Sequence, residues 1–182
     1  GDTEQIRVAF IGDSITNYIQ YTKAIEHYYQ TRYPNKDIVF INKGIAGNTT
    51  KGITERMDWD IAENEVTGDI DEATIMIGMN DLLVVPMTSN STKDTYVQDK
   101  DLQQSKRDTY FANLETIVDY FLSKGISLTF ITSSLHDEFA DFEGASTTTY
   151  YPGANAILGD SMEDLKDFAA EYDIPVIDLW TP

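Results

Sequence analysis

The sequence predicts an α/β fold, a five-stranded parallel sheet with helices on both faces. Five short runs of apolar, β-branched and aromatic residues alternate with four longer segments in which apolar residues recur at helical spacing. Near-continuous hydrophobicity is typical of strands that are covered on both faces. Because a crossover helix returns the chain to a parallel strand, this alternation predicts a parallel sheet. The 182 residues are enough for one well-filled core, so we expect a single domain over residues 1–182.

The elements follow in order along the chain. The predicted strands are Ile6–Ile11, Asp37–Asn42, Ala73–Gly78, Ile126–Ser133 and Ile174–Leu179. The predicted helices are Tyr18–Tyr33, Ile53–Asn64, Arg107–Lys124 and Asn155–Tyr172. Gly125 follows the third helix at the position of a left-handed C-cap, and Pro175 follows the fourth.

Parallel sheets bind their ligands in the loops that follow the carboxyl ends of the strands. The loops to consider are therefore Gly12–Thr16, Lys43–Thr50, Gly78–Val85 and Ser133–Pro152. These loops contain the residues that could carry chemistry.

Composition excludes several classes of function. With 31 acidic and 13 basic residues the net charge is −18, which repels phosphate backbones and anionic lipid surfaces, so neither nucleic acid nor membrane is expected as a partner. The absence of cysteine removes disulfides, thiolate metal sites and a cysteine nucleophile. Acidic pairs such as Asp58 and Asp60 do not complete a calcium-binding loop and are interpreted as a solvated surface. No metal and no cofactor are predicted.

Three polar positions stand at the ends of neighbouring predicted strands. Ser14 follows the first strand at the expected start of a helix, where backbone N–H groups without helical partners can bind negative charge. Gly47, in the second loop, can bring its backbone amide close to a ligand, and Asn80, in the third, offers a side-chain amide. Taken singly, each has a plainer interpretation, because Asp13 or Ser14 can cap a helix and the glycine and asparagine are common in turns.

The blocks that hold these residues resemble a known family. "GDSIT" at Gly12–Thr16, "GIAGNTT" at Gly44–Thr50 and "GMND" at Gly78–Asp81 are similar, in order and spacing, to the first three blocks of the SGNH or GDSL-type hydrolases. The resemblance implies a three-layer flavodoxin-like sandwich and an esterase or acylhydrolase activity without a cofactor. It also implies that Ser14 is the nucleophile and that the amides of Ser14 and Gly47 and the side chain of Asn80 form the oxyanion hole. Asp13 and Asp81 would support them.

The general base is the part of the family pattern that this sequence does not show. The family takes an aspartate and a histidine from a D-x-x-H block beyond the strand that "PVIDLW" resembles, and no D-x-x-H occurs here. We therefore expect that block to lie beyond Pro182. His27, 13 positions beyond Ser14 and about 20 Å away along a helix, is interpreted as structural. His136 follows the fourth strand and remains a candidate for a substitute base or a substrate contact.

The substrate is only weakly indicated. Polar residues in the rim loops favour a small or carbohydrate O-acyl ester, such as an acetyl ester, over a long acyl chain, although polar rims are common on any surface. A lysophospholipase, a catalytically incomplete protein that binds carbohydrate in the same cleft, and a flavin- or phosphate-binding module remain alternatives. We expect a secreted or periplasmic protein, while the oligomeric state is not predicted.

Overall fold

The computed structural model describes residues 5–64, 68–82, 100–135 and 154–181. The strands are β1 (Ile6–Gly12), β2 (Ile38–Gly44), β3 (Glu63–Asn64), β4 (Gly68–Asp69), β5 (Glu72–Met76), β6 (Ser127–Ile131) and β7 (Val176–Ile177). The helices are α1 (Ser14–Asn17), α2 (Gln20–Arg32), α3 (Thr50–Thr54), α4 (Met79–Leu82), α5 (Lys100–Ser123) and α6 (Ala154–Glu171). A π-helical segment covers Met57–Ala62.

The main sheet has five strands in the order β2-β1-β5-β6-β7, and every neighbouring pair is parallel. Leaving aside the small antiparallel pair β3–β4, this is the 2-1-3-4-5 order of flavodoxin-like folds. The predicted fold class is therefore confirmed. β1 occupies the position between β2 and β5, so its carboxyl end is flanked by theirs.

Helices cover both faces of the sheet, and β1 contributes side chains to both because successive side chains of a strand alternate between its faces. Ala9 and Ile11 are fully buried and belong to the main core with residues of α3, α5 and α6. Phe10 faces the other way and contacts Phe40 of β2 and Tyr21 of α2. Within the described ranges, none of the helices combines the length and the apolar character needed to cross a bilayer.

The boundaries differ most from prediction in the first two helical regions, at the start of α5 and in the last strand. The first helical region is two helices, α1 and α2, because Ile19 between them adopts a left-handed conformation with φ of 59°. The predicted helix over 53–64 is replaced by α3, the π-helical segment and β3, and the pair β3–β4 was not predicted. The helix predicted from Arg107 begins at Lys100, and the last predicted strand is reduced to the two residues of β7.

Candidate active site

The pairing register of β1 with β2 and β5 places the three predicted loops side by side. Gly12, the last residue of β1, pairs with Gly44 on β2 and with Met76 on β5. Ser14 follows Gly12 by two residues, Gly47 follows Gly44 by three, and Asn80 follows Met76 by four. The three polar positions therefore leave the same edge of the sheet from three adjacent strands.

Two glycines let α1 lie directly against the strand ends. A Cβ on Gly12 would lie 2.5 Å from the carbonyl oxygen of Met76 and would also overlap the hydroxyl of Thr16. A Cβ on Gly44 would lie 2.7 Å from the backbone carbon of Thr16. Because any larger residue would push α1 away, these glycines fix the position of Ser14 at the start of that helix.

Asp13 caps α1, so the cap and the candidate nucleophile are different residues. The Asp13 carboxylate accepts a hydrogen bond from the N–H of Ile15 at 2.9 Å, and its side chain is almost completely buried. Ser14 is partly exposed, and its hydroxyl and N–H make no hydrogen bond within the described chain. The capping interpretation thus applies to Asp13 and leaves Ser14 available to a ligand.

Gly47 lies in a tight turn that requires glycine-like backbone angles. The N–H of Asn48 donates to the carbonyl of Ile45 at 3.0 Å, which closes a four-residue turn with Gly47 in its third position. Gly47 has φ of +76°, the value that a type II turn needs there. The turn uses the N–H of Asn48, and in the described part of the chain the Gly47 N–H has no acceptor.

The Asn80 side chain joins the second and third loops and reaches towards the first. Its Nδ2 donates to the carbonyl of Asn48 at 2.8 Å and lies 3.5 Å from a carboxylate oxygen of Asp13. Because the amide group carries two N–H bonds and the second contact is long, one N–H remains poorly used. Asn80 is thus held beside the residue that precedes Ser14.

A hydrogen-bond network behind Asn80 fixes the third loop and was not predicted from the sequence. The Asp81 carboxylate accepts from the N–H of Thr50 at 3.0 Å and from its hydroxyl at 2.6 Å. The Asn113 side chain on α5 in turn donates to the Thr50 hydroxyl at 3.0 Å. Thr50 lies in the "GIAGNTT" block and could have been suspected there, but nothing in the sequence marks Asn113 among the residues of a long helix.

Burial has the largest effect on the pKa values of Asp13 and Asp81. Burial raises the pKa of Asp13, an effect that the Ile15 N–H opposes and the charge of Asp81 reinforces. Burial also raises the pKa of Asp81, against the hydrogen bonds from Thr50. Both carboxyls are held by backbone or side-chain donors, which suits groups that orient the loops.

The two histidines fall outside this cluster or outside the described residues. His27 is exposed on α2, which runs from the Ser14 edge of the sheet back to the start of β2. It therefore takes no part in the site, although the helical path assumed from the sequence is broken at Ile19. His136 lies outside the described residues, so its prediction stays a prediction. In the ranges that the structure describes, no group of three or more acidic or histidine side chains could hold a metal ion.

Proteins of known structure share this fold. A gut microbial diltiazem-metabolizing enzyme superposes with a TM-score of 0.77 at 24% identity, covering 98% of this chain and 38% of that one. The acetylxylan esterase Axe2 from Geobacillus stearothermophilus superposes with a TM-score of 0.69 at 21% identity, covering 97% of this chain and 77% of that one. At these identities the similarity shows the fold alone, and this chain spans only 38% of the first enzyme.

Family assignment comes from the sequence profile. No curated protein sequence is similar enough to count as a relative. The profile of the GDSL-like Lipase/Acylhydrolase family, in contrast, matches residues 10–182, which include all three loops of the site. The chain therefore belongs to the GDSL-like lipase/acylhydrolase family.

Proposed function

We propose that the chain is a serine esterase that removes a small acyl group, such as acetyl, from a carbohydrate or other small polar ester. The observation that carries the proposal is the arrangement of the three loops. Ser14, Gly47 and Asn80 follow adjacent strands whose ends are in register. The Ser14 and Gly47 N–H groups make no hydrogen bond within the described chain, and the Asn80 amide makes one hydrogen bond of 2.8 Å, so one of its two N–H bonds remains for a ligand.

The chemistry follows from these groups. The Ser14 hydroxyl oxygen attacks the ester carbonyl carbon, the carbonyl π electrons move to oxygen, and a base takes the hydroxyl proton. The resulting alkoxide is stabilised by the N–H groups of Ser14 and Gly47 and by an Asn80 N–H. When the tetrahedral intermediate collapses, the alcohol leaves with a proton, and water then hydrolyses the acyl-serine.

For the general base, the candidate present in this sequence is His136. A serine hydroxyl is a weak nucleophile at neutral pH unless a neighbouring group accepts its proton. In Axe2, catalytic mutants replace a serine, an aspartate and a histidine, and the aspartate and the histidine lie three positions apart. Replacement of His136 by glutamine tests whether it is a substitute base or a substrate contact: loss of kcat supports a base, a raised KM with unchanged kcat supports a substrate contact, and unchanged kinetics exclude both.

Two observations favour a carbohydrate acetyl ester as substrate. The loops around Ser14 hold polar groups, with the Asn80 amide bonded to the Asn48 carbonyl and the Thr50 hydroxyl bonded to Asp81. Axe2, which has this fold, is an acetylxylan esterase.

The experiment combines labelling with turnover. A fluorophosphonate probe should modify Ser14, as located by peptide mass spectrometry, and acetate should be released from acetylated xylo-oligosaccharides. Ser14→Ala should abolish both signals. Ser123→Ala is a matched control because Ser123 lies at the end of α5 and its hydroxyl donates to its own helix at Tyr120. Labelling of another residue, or acetate release that survives Ser14→Ala, would contradict the proposal.

A further inference from the structure

A second concave site lies at the opposite end of the sheet from Ser14. A cleft of about 170 Å³ opens between the carboxyl end of α2 and the beginning of β2, with Tyr29, Tyr33 and Phe40 among its lining residues. Phe40 pairs with Val8 near the start of β1, whereas Ser14 follows the end of that strand. The cleft is therefore separate from the candidate active site.

The aromatic side chains of the cleft are close together and partly open to solvent. The ring centroids of Tyr29 and Tyr33 are 5.5 Å apart, and those of Tyr29 and Phe40 are 5.6 Å apart. Tyr29 is 38% exposed and Tyr33 47% exposed, and in the described part of the chain their hydroxyls have no hydrogen-bond partner. Clustered, partly exposed tyrosines combine an apolar ring face with a polar tip, which suits a ligand of the same mixed character.

Charge at the cleft is opposite in sign to the protein as a whole. Lys36 is one of the lining residues, and the Arg32 guanidinium lies 5.7 Å from the centre of the adjacent Tyr28 ring. Among the described residues neither cation forms an ion pair, although the chain carries a net charge of −18.

Of the two acidic groups near these cations, Glu26 is paired with a cation and, within the described chain, Asp37 is not. Glu26 pairs with Lys23 at 2.6 Å and also accepts from the side-chain amide of Gln30. Asp37 accepts a hydrogen bond from the Gln5 side chain at 3.1 Å. Because the Gln5 amide is uncharged, Asp37 keeps its negative charge, but the two cations Lys36 and Arg32 still exceed it by one, and a single anion matches that excess.

We propose that this cleft binds one uronic acid ring carried by an otherwise neutral polysaccharide, because the net charge of −18 disfavours a polyanion. Its volume of about 170 Å³ limits the ligand to about the size of a single sugar ring. The C–H face of the ring lies against Tyr29, Tyr33 and Phe40, and the sugar hydroxyls meet the tyrosine hydroxyls. The carboxylate lies near Lys36. Such a site holds the protein on that polysaccharide without taking part in ester hydrolysis.

Binding without turnover tests this proposal, so its result is independent of the proposed esterase activity. The ligand for isothermal titration calorimetry is a xylo-oligosaccharide that carries one glucuronate and no acetyl group, compared with the neutral oligosaccharide of the same length. We expect the glucuronate ligand to bind more tightly and its affinity to fall as salt is raised, because an exposed ion pair is screened. The neutral ligand should show little dependence on salt.

Variants assign the interaction to the cleft. Lys36→Gln should weaken binding of the glucuronate ligand by about two- to five-fold, the range expected for an exposed ion pair. Tyr33→Ala should weaken binding of both ligands by about ten-fold through loss of an aromatic contact, and Tyr33→Phe should retain most of the affinity. Lys124→Gln removes a distant cation, which lies against Tyr120, and should change neither affinity. Thermal unfolding of each variant establishes that it is folded.

Three results would overturn the proposal. Equal affinity for the two ligands would remove the role of charge. Unchanged affinity in folded Tyr33→Ala would place binding elsewhere. Concentration-dependent dimerisation that Tyr33→Ala abolishes would assign the cleft to a second copy of the chain instead of a sugar.

Discussion

Replacement of Asn80 by alanine separates catalysis from stability. In the native structure its Nδ2 donates to the carbonyl of Asn48 at 2.8 Å, an ordinary amide hydrogen bond. Loss of that bond should lower the free energy of unfolding by about 1 kcal/mol. If the other N–H stabilises the alkoxide, kcat should fall by about 10²- to 10³-fold, equivalent to about 2.7 to 4 kcal/mol of activation free energy.

Asn113 provides the matched control for Asn80. Its side-chain amide donates to the Thr50 hydroxyl at 3.0 Å, so Asn113→Ala removes a comparable bond that does not reach Ser14. We expect a similar loss of about 1 kcal/mol in stability and little change in kcat. Urea unfolding, p-nitrophenyl acetate hydrolysis and the rate of fluorophosphonate labelling measure these effects. Equal losses of kcat and labelling rate in the two variants would refute the assignment of Asn80 to the oxyanion hole.

Three further outcomes follow from the structure. Gly12→Ala should lower the thermal midpoint steeply, because the new methyl group would lie 2.5 Å from the Met76 carbonyl oxygen; an unchanged midpoint would show that α1 does not rest on the strand end. Arg56→Met should destabilise the fold by about 1 to 3 kcal/mol in urea unfolding, because the buried guanidinium donates to Asp60 at 2.7 Å and to the Lys43 carbonyl at 2.6 Å, while Lys43 at 3.1 Å still pairs with Asp60; an unchanged unfolding free energy would contradict this role. Burial raises the pKa of the Asp81 carboxyl in the folded protein above its value in the unfolded chain. The folded state therefore binds the carboxyl proton more tightly than the unfolded state does. The free energy of unfolding falls as the pH rises from the unfolded-state pKa of Asp81 through its folded-state pKa. The stability of Asp81→Asn relative to the native chain should therefore improve as pH rises from about 4 to 6 in urea unfolding, and a difference that does not vary with pH would contradict this reasoning.

The fold was predictable because parallel strands buried on both faces leave a strong pattern in the sequence. Ile6–Ile11 and Ala73–Gly78 are nearly continuous apolar runs, and both correspond to central strands. Once the sheet is parallel, the polar residues after these strands must share an edge. The juxtaposition of the loops that hold Ser14, Gly47 and Asn80 follows from topology.

Features that depend on local strain or on contacts between distant residues were not predictable. The break at Ile19 places a β-branched residue at φ of 59°, which no propensity favours. The π-helical segment replaces a regular helix where Arg56 contacts both Asp60 and the Lys43 carbonyl, a tertiary arrangement that periodicity does not show. The contact of Asn113 with Thr50 joins residues 63 positions apart.

The tyrosine cleft was missed for a different reason. Tyr29 and Tyr33 lie within the predicted helix Tyr18–Tyr33, and aromatic residues at helical spacing usually face the core. In the structure, Thr22 is the one buried residue of α2, and both tyrosines lie at its solvent-exposed end. Sequence pattern alone does not distinguish an aromatic face that packs from one that remains open.

Catalysis as proposed requires that the N–H groups of Ser14, Gly47 and Asn80 all reach the carbonyl oxygen of the ester. A crystal structure of the protein after reaction with a fluorophosphonate measures this geometry. We expect phosphorus bonded to Oγ of Ser14, with its unesterified oxygen within hydrogen-bond distance of the backbone nitrogens of Ser14 and Gly47 and of Nδ2 of Asn80. An adduct on another residue, or a phosphonyl oxygen that contacts none of these nitrogens, would contradict the account.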